Sequence, residues 1–247
     1  MDLGLADRTA IVCGASSGIG LAISEALAAE GANVTMFARR RELLEREADR
    51  IGALAVRGDL TDPAHLETLV ETTLEAFGAI DVLVLNGGGP PTGPAIGLTA
   101  EAVEAAVELL LLPHVRLVDL CLPHLRANGR GRIVAIESSS VREPLPNLAL
   151  SNAVRPGVVG WLKTLARDVG RDGITVNVIA PGRIETARFR EVYPDGLGPA
   201  ELEAIALGHV GSPADIAAVA CFLASDQAAY VTGAVVPVDG GFTRGLN

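Results

Sequence analysis

Residues 9–20 read TAIVCGASSGIG, an apolar strand that runs into a glycine-rich turn and then into a helix. Gly14, Gly18 and Gly20 have the spacing that lets backbone N–H groups approach a pyrophosphate. A Cβ at these positions would obstruct the turn, the ligand or the helix–sheet contact. The helix that follows, about Gly18 to Glu30, aims the partial positive charge of its N-terminus at the same point. A glycine triplet alone is a weak signal. Its place between a strand and a helix, early in an alternating chain, is what predicts a dinucleotide site.

The rest of the chain repeats that alternation. Strand-like runs occur at Thr9–Cys13, Asn33–Phe37, Ala53–Arg57, Val82–Asn86, Arg132–Ile136, Thr175–Ile179 and Val235–Val238. Amphipathic segments lie between them, near residues 19–30, 40–51, 63–77, 100–127, 154–169 and 213–223. The strands are almost continuously apolar, as expected of a parallel sheet covered on both faces. Right-handed crossovers then give one doubly wound α/β domain of the Rossmann type over residues 1–247, a parallel seven-stranded sheet with helices on both faces. Ligands are expected at the carboxyl ends of the strands. The irregular stretch from Arg183 to Gly211, rich in Gly and Pro, is expected to form a lid there.

Composition narrows the classes of function. The chain has 247 residues, 49% hydrophobic but only 3% aromatic, so the core is aliphatic. A net charge of −10 with no basic stripe argues against nucleic acid as a partner. The three cysteines, Cys13, Cys121 and Cys221, sit in apolar contexts without metal-ligand spacing, so no metal is expected. Unpaired thiols suit a reducing cytoplasm. The N-terminus lacks a basic segment before its apolar run, and charges interrupt the apolar stretch 105–125. Neither a signal peptide nor a membrane span is expected.

Further motifs make the chain resemble the short-chain dehydrogenase/reductase family, in particular its 3-oxoacyl-acyl-carrier-protein-reductase-like branch. They are CGASSGIG, Asp59-Leu60, Asn86-Gly87-Gly88, LPHLRANGRGRIVAI, Pro181-Gly182 with Ile184 and Thr186, and FLASDQAAYVTGAVVPVDGG. The resemblance spans essentially the whole chain. It implies that Gly14, Ser16, Ser17, Gly18, Ile19 and Gly20 line a pyrophosphate and ribose, and that Asp59 accepts from an adenine amino group while Leu60 packs on the ring. It also implies that Asn86, Gly87 and Gly88 lie along the adenosine ribose, and that residues from Pro181 to Thr186 hold a nicotinamide carboxamide. The second strand ends in Phe37-Ala38-Arg39-Arg40-Arg41, with Ala38 where an NAD-selective site places an acid. Arg39, with Arg40 beside it, is expected to fork onto a 2′-phosphate. NADP(H) is therefore the expected cofactor and NAD(H) the alternative.

The resemblance stops at the reaction centre. Members of the family use Asn, Ser, Tyr and Lys together. Here Ser138 occupies the serine position, but Ser151 stands for the tyrosine, Arg155 for the lysine and Leu110 for the asparagine. The only tyrosines, Tyr193 and Tyr230, are followed four residues later by Leu197 and Ala234, so no Tyr-x-x-x-Lys exists in any register. The single lysine, Lys163, lies about 18 Å beyond Ser151 along a helix. Losing a positioned general acid typically costs about 10²–10⁴-fold.

Pro156 adds the expectation that the helix begins there and leaves residues 151–155 as a remodelled turn. Glu137, Ser139, Ser140, Arg142 and Glu143 flank Ser138, either as a substrate-binding group or as an ordinary polar turn. Tyr193 is either a substitute acid or a residue that shapes the lid. His114 and His124 read as structural or interfacial.

Two functions follow: an NADP(H)-dependent reductase or dehydrogenase of a small carbonyl or alcohol substrate with altered proton transfer, or a dinucleotide-binding protein without redox turnover. Surplus apolar residues on the fourth helical segment (107–125) and the fifth (Val158, Val159, Trp161, Leu162, Leu165) predict a homotetramer or homodimer.

Overall fold

Seven apolar runs pair into one parallel sheet in the computed structural model, which describes residues 2–245. They are β1 (Thr9–Cys13), β2 (Asn33–Ala38), β3 (Leu54–Arg57), β4 (Val82–Leu85), β5 (Arg132–Ile136), β6 (Thr175–Pro181) and β7 (Val235–Val238). Their spatial order is β3-β2-β1-β4-β5-β6-β7, so the chain reverses direction across the sheet between β1 and β4. That reversal opens a crevice beyond the carboxyl ends of these two strands. In register, Ile11 pairs with Thr35 on one side and Leu83 on the other.

Helices cover both faces. One layer holds α1 (Gly18–Ala29), α2 (Arg41–Ile51) and α9 (Pro213–Ala224). The other holds α3 (Pro63–Phe77), α4 (Ala100–Leu110), α5 (Leu112–Ala127) and α6 (Ala149–Val169). Alternate residues of each central strand feed the two cores: Val12 packs toward α1 with Ile23 and Leu27, while Ile11 and Cys13 pack toward α3 and α5. The segment 183–211 carries two short helices, α7 (Ala187–Val192) and α8 (Pro199–Glu203). No helix among the described residues is long and apolar enough to cross a membrane.

Two expectations need correction. The segment 100–127 is not one helix, because Leu111 separates α4 from α5. Pro113 has no N–H for the Leu109 carbonyl, so the ladder is interrupted at that point. The helix around Pro156 does not begin there. Helix α6 starts seven residues earlier, at Ala149, and runs through the proline.

Burial explains why α6 survives its proline. Leu150, Ser151, Val154, Arg155, Val158 and Leu162 form one buried stripe, which would be lost if the first two turns melted. Asn152 further anchors the first turn, accepting from the Leu145 N–H at 3.1 Å and donating to the Leu145 carbonyl at 2.9 Å. Pro156 itself points to solvent and leaves the Asn152 carbonyl without its helical donor. Pro156→Ala should therefore stabilise the protein by about 1–3 kcal/mol. Urea denaturation checks this, and an unchanged or lower midpoint would contradict it.

Candidate functional site

Chain reversal and the glycine turn together form a cleft of about 720 Å³ above β1, β4, β5 and β6. It is lined by Gly14, Ser16, Ser17, Gly18 and Ile19 from the first turn, by Arg39, Arg40, Asp59 and Leu60 on one flank, and by Asn86, Gly87 and Gly88 after β4. Ser138, Ser151, Arg155, Pro181, Gly182, Ile184 and Thr186 line its other end. Of the residues predicted from sequence, Gly20 stands behind this wall. A Cβ on it would meet the Gly14 carbonyl oxygen at 2.4 Å.

The glycine turn has no room for side chains where the ligand would approach. Gly14 and Gly18 adopt φ of +61° and +58°, and a Cβ on Gly14 would lie 2.7 Å from the Asn86 amide nitrogen. That amide donates to the Cys13 carbonyl at 3.0 Å, tying the end of β1 to the end of β4. Asn86 is thus a structural clamp for the turn as well as a lining residue. Ser17 caps α1 with extended backbone and leaves its side chain free of capping bonds. An anion seated at this turn would meet unfilled N–H groups of the first helical turn. The geometry fits a pyrophosphate.

On the flank, Arg40 rather than Arg39 reaches the glycine turn, donating to Ser17 Oγ at 2.5 Å and to Ser16 Oγ at 3.1 Å. Arg39 is largely exposed and lies 3.8 Å from Asp59. Asp59 Oδ1 accepts from the Thr61 N–H and hydroxyl, and these bonds, with Arg39 nearby, hold its carboxyl below the usual range. The cap of α3 is Asp62, which accepts from the Ala64 N–H. Asp59 therefore keeps Oδ2 turned toward Arg39 and the cleft rather than serving as the helix cap.

The floor beneath the expected reaction centre holds a group the sequence did not assign. Arg155 donates from Nη1 to Glu137 Oε2 at 2.8 Å, and from Nη2 to the Gly88 carbonyl at 3.3 Å. The Glu137 side chain is fully buried and that of Arg155 almost so. Burial pushes the Glu137 carboxyl up, and the Arg155 guanidinium pulls against it. Below them the buried His114 places Nδ1 3.9 Å from Glu137 Oε1, and neither atom has a hydrogen-bond partner. Burial, with Arg155 adding repulsion, lowers His114 to about 4, so the imidazole is neutral and this contact is not an ion pair.

The serines are bonded locally. Ser138 Oγ accepts from the Ser140 N–H at 3.1 Å, opening a single 3-10 turn. Ser140 Oγ and Ser151 Oγ share a hydrogen bond of 2.9 Å. Leu110 packs into the core while its neighbour Leu109 lines the cleft. Arg142 donates outward to the Gly245 carbonyl, and Glu143 accepts from the Arg244 N–H. The polar group after β5 thus divides. Glu137, Ser138 and Ser140 face inward, whereas Arg142 and Glu143 tie down the C-terminal segment.

Across the cleft, Thr186 caps α7 by accepting from the Phe189 N–H. Arg183 donates to the Tyr193 hydroxyl, with its guanidinium carbon 4.7 Å from the Tyr193 ring centroid and 5.0 Å from that of Phe242. All three cysteines are free and buried, and burial raises Cys13 to about 12. They take no part in the cleft chemistry. Among the described residues no group of three or more His, Cys, Asp or Glu is placed to hold a metal ion.

Two of these features carried a signal in the sequence. An arginine buried where a lysine is expected needs a counter-charge, and Glu137 directly follows an apolar strand that ends at the cleft. The Arg183–Tyr193 contact spans a ten-residue loop and left no such trace.

Comparison with known proteins agrees with this architecture. Residues 14–243 match the profile of a family described as enoyl-(acyl carrier protein) reductase. A 3-oxoacyl-[acyl-carrier-protein] reductase (FabG) of Escherichia coli is 37% identical over 238 residues, covering 95% of this chain and 96% of that protein. An uncharacterized oxidoreductase of Mycobacterium tuberculosis is 35% identical over the same span. Among solved structures, L-sorbose reductase from Gluconobacter frateurii, complexed with NADPH and L-sorbose, superposes with a TM-score of 0.91 at 32% identity over all of both chains. YwfH, an NADPH-dependent reductase involved in bacilysin biosynthesis, gives 0.93 at 25% identity over 97% of this chain and 99% of its own. The chain belongs to the short-chain dehydrogenase/reductase family.

Neutral, buried His114 has a consequence for stability. Its value in the fold lies below the ordinary 6.5, so the unfolded chain binds a proton that the folded chain refuses. The stability this protects is complete above pH 6.5 and is lost as pH falls toward 4, by about 3 kcal/mol in all. His114→Leu should flatten that part of the pH dependence in urea midpoints measured from pH 7 to 4. Equal slopes in both proteins would contradict the assignment.

Proposed function

We propose that this member of the short-chain dehydrogenase/reductase family is an NADP(H)-dependent oxidoreductase that interconverts a small carbonyl compound and its alcohol. Proton transfer falls to residues other than a Tyr–Lys couple. The observation that carries the reading is the glycine turn, where the spaces at Gly14 and Gly20 are too tight for any side chain and the first turn of α1 opens onto the cleft. Two solved relatives, one an NADPH-dependent reductase and one complexed with NADPH, support the same cofactor. Bound in the cleft, a nicotinamide dinucleotide would supply or accept hydride.

Each wall then has a task. The backbone from Gly14 to Gly20 and the N-terminus of α1 hold the pyrophosphate. Asp59 offers Oδ2 to the adenine amino group, and Leu60 packs on the ring. Asn86, Gly87 and Gly88 border the ribose, and the segment from Pro181 to Thr186, pinned where Gly182 packs on Asp239, holds the carboxamide. Arg39 is exposed and bound to no buried acid, so it can fork onto a 2′-phosphate. Arg40, already across the rim on Ser16 and Ser17, adds a second cation. Ser138, at the foot of the cleft, positions the substrate oxygen.

A second reading has its own support. Arg155 is neutralised by Glu137, and Ser151 is bonded to Ser140, so neither resembles an activated acid. On that reading the protein binds the dinucleotide as a sensor or partner subunit without turning it over. Half-buried apolar residues, Val103 and Val107 on α4 with Trp161 and Leu165 on α6, support self-association through these helices as a dimer or tetramer under either reading.

Cofactor titration tests the site. NADPH should bind at least about tenfold more tightly than NADH, a difference of ~1.4 kcal/mol. Arg39→Asp should reverse that order. Equal affinities for the two dinucleotides would remove Arg39 from its role, and no binding of either would defeat both readings. Oxidation of NADPH by a panel of ketones and aldehydes then separates enzyme from binding protein.

A further inference from the structure

Members of this family reduce carbonyls with a phenol whose acidity a nearby cation increases, and the floor of this cleft holds no such couple. Ser151 is an aliphatic alcohol hydrogen-bonded to Ser140, and the charge of Arg155 is taken up by Glu137. Glu137 has no exposed side-chain surface, so no substrate atom reaches it. The opposite wall carries what the floor lacks. Tyr193 lines the cleft and receives a hydrogen bond from the Arg183 guanidinium, whereas Tyr230 is fully exposed elsewhere.

We propose that Tyr193, made more acidic by Arg183, donates the proton to the substrate oxygen, so that a phenol–cation couple stands on the 183–211 segment in place of the family's Tyr–Lys. This rests on the oxidoreductase reading above.

Three features hold the couple in place. Arg183 directly follows Pro181-Gly182 at the end of β6, and a Cβ on Gly182 would lie 2.6 Å from Asp239, so the base of the arginine is fixed. Its guanidinium lies within cation–π range of both the Tyr193 and Phe242 rings. Phe189 stacks on Tyr193 with centroids 5.1 Å apart, orienting the phenol.

The other charged groups around the couple are accounted for. Glu201 on α8 acts on Arg183 from a distance, and no carboxylate among the described residues forms an ion pair with Arg183. Arg188 and Glu191 on α7 pair with each other at 3.2 Å. Asp239 is occupied by Thr243 and the N–H of Gly241. The positive charge beside the phenol is therefore uncancelled at contact range, and it favours phenolate over phenol.

In reduction a nicotinamide bound in the cleft would supply hydride to the carbonyl carbon, and the C=O π pair would move onto oxygen. That oxygen takes the hydroxyl proton of Tyr193. The phenolate left beside Arg183 regains a proton from water at the mouth of the cleft. In oxidation the same steps run backward, with Tyr193 phenolate taking the alcohol proton.

Two tyrosines make the test direct. In a Tyr230→Phe background the whole tyrosinate absorbance belongs to Tyr193, and it should titrate at least about one unit below the ordinary value near 10. Arg183→Met should move it back up, with circular dichroism confirming the fold and Arg183→Lys restoring much of the shift. A Tyr193 value at or above 10, or one indifferent to Arg183→Met, overturns the proposal without touching the cofactor reading.

With NADPH and a carbonyl that wild type reduces, Tyr193→Phe should lose about 10²–10⁴-fold in kcat with NADPH affinity unchanged. Ser151→Ala should lose far less. The alkaline limb of kcat should follow the Tyr193 titration and rise in Arg183→Met. A Tyr193→Phe enzyme that retains a tenth of the rate refutes the role. Wild type that binds NADPH yet reduces nothing defeats the oxidoreductase reading, and the proposal with it.

Discussion

A carboxylate and a guanidinium buried together, Glu137 and Arg155, set the terms for the rest of the cleft. Neither ion tolerates burial alone, and removing one partner from such a pair typically costs about 3–5 kcal/mol. Each therefore fixes the other: Glu137 at the end of β5 and Arg155 in the second turn of α6. The pair also accounts for why α6 begins before its proline, since Arg155 is held in the buried stripe by a charge on the neighbouring strand. Its second bond, to the Gly88 carbonyl, joins the loop after β4 to the same knot.

That knot displaces two functions that one residue can serve. A lysine in this place can both hold a ribose and make a nearby phenol more acidic. An arginine committed to a carboxylate gives up both, and ties the loop after β4 to the cleft floor through the Gly88 carbonyl instead. The glycine turn does not depend on this choice. It is built from backbone at Gly14 and Gly20, from the Asn86 clamp and from the N-terminus of α1, gathered at the switch between β1 and β4. A cradle for a dinucleotide and an altered reaction floor can thus coexist in one sheet.

The sequence revealed the fold because it is written in local terms. Continuous apolar runs mark buried parallel strands, and TAIVCGASSGIG marks the first crossover. It was less informative where tertiary contacts overrule local preference. Pro156 suggested a helix start, and the burial of Leu150, Val154 and Arg155 overrode it. Pro113, deep in an apolar stretch, broke a helix that periodicity alone would have continued through Leu111.

The glycine turn that lines the cleft was legible for a related reason. Its requirements fall on backbone geometry at glycines, which sequence shows directly. Ion pairs are different, because Glu137 and Arg155 lie eighteen residues apart and Arg40 reaches back to serines more than twenty residues earlier.

The central claim is that Arg155 belongs to Glu137 and not to the cofactor. A crystal structure of the protein with NADPH bound tests it most directly. The account predicts the dinucleotide along the glycine turn with the Arg155–Glu137 ion pair intact at hydrogen-bond distance. An Arg155 released from Glu137 and turned onto the nicotinamide ribose would contradict it.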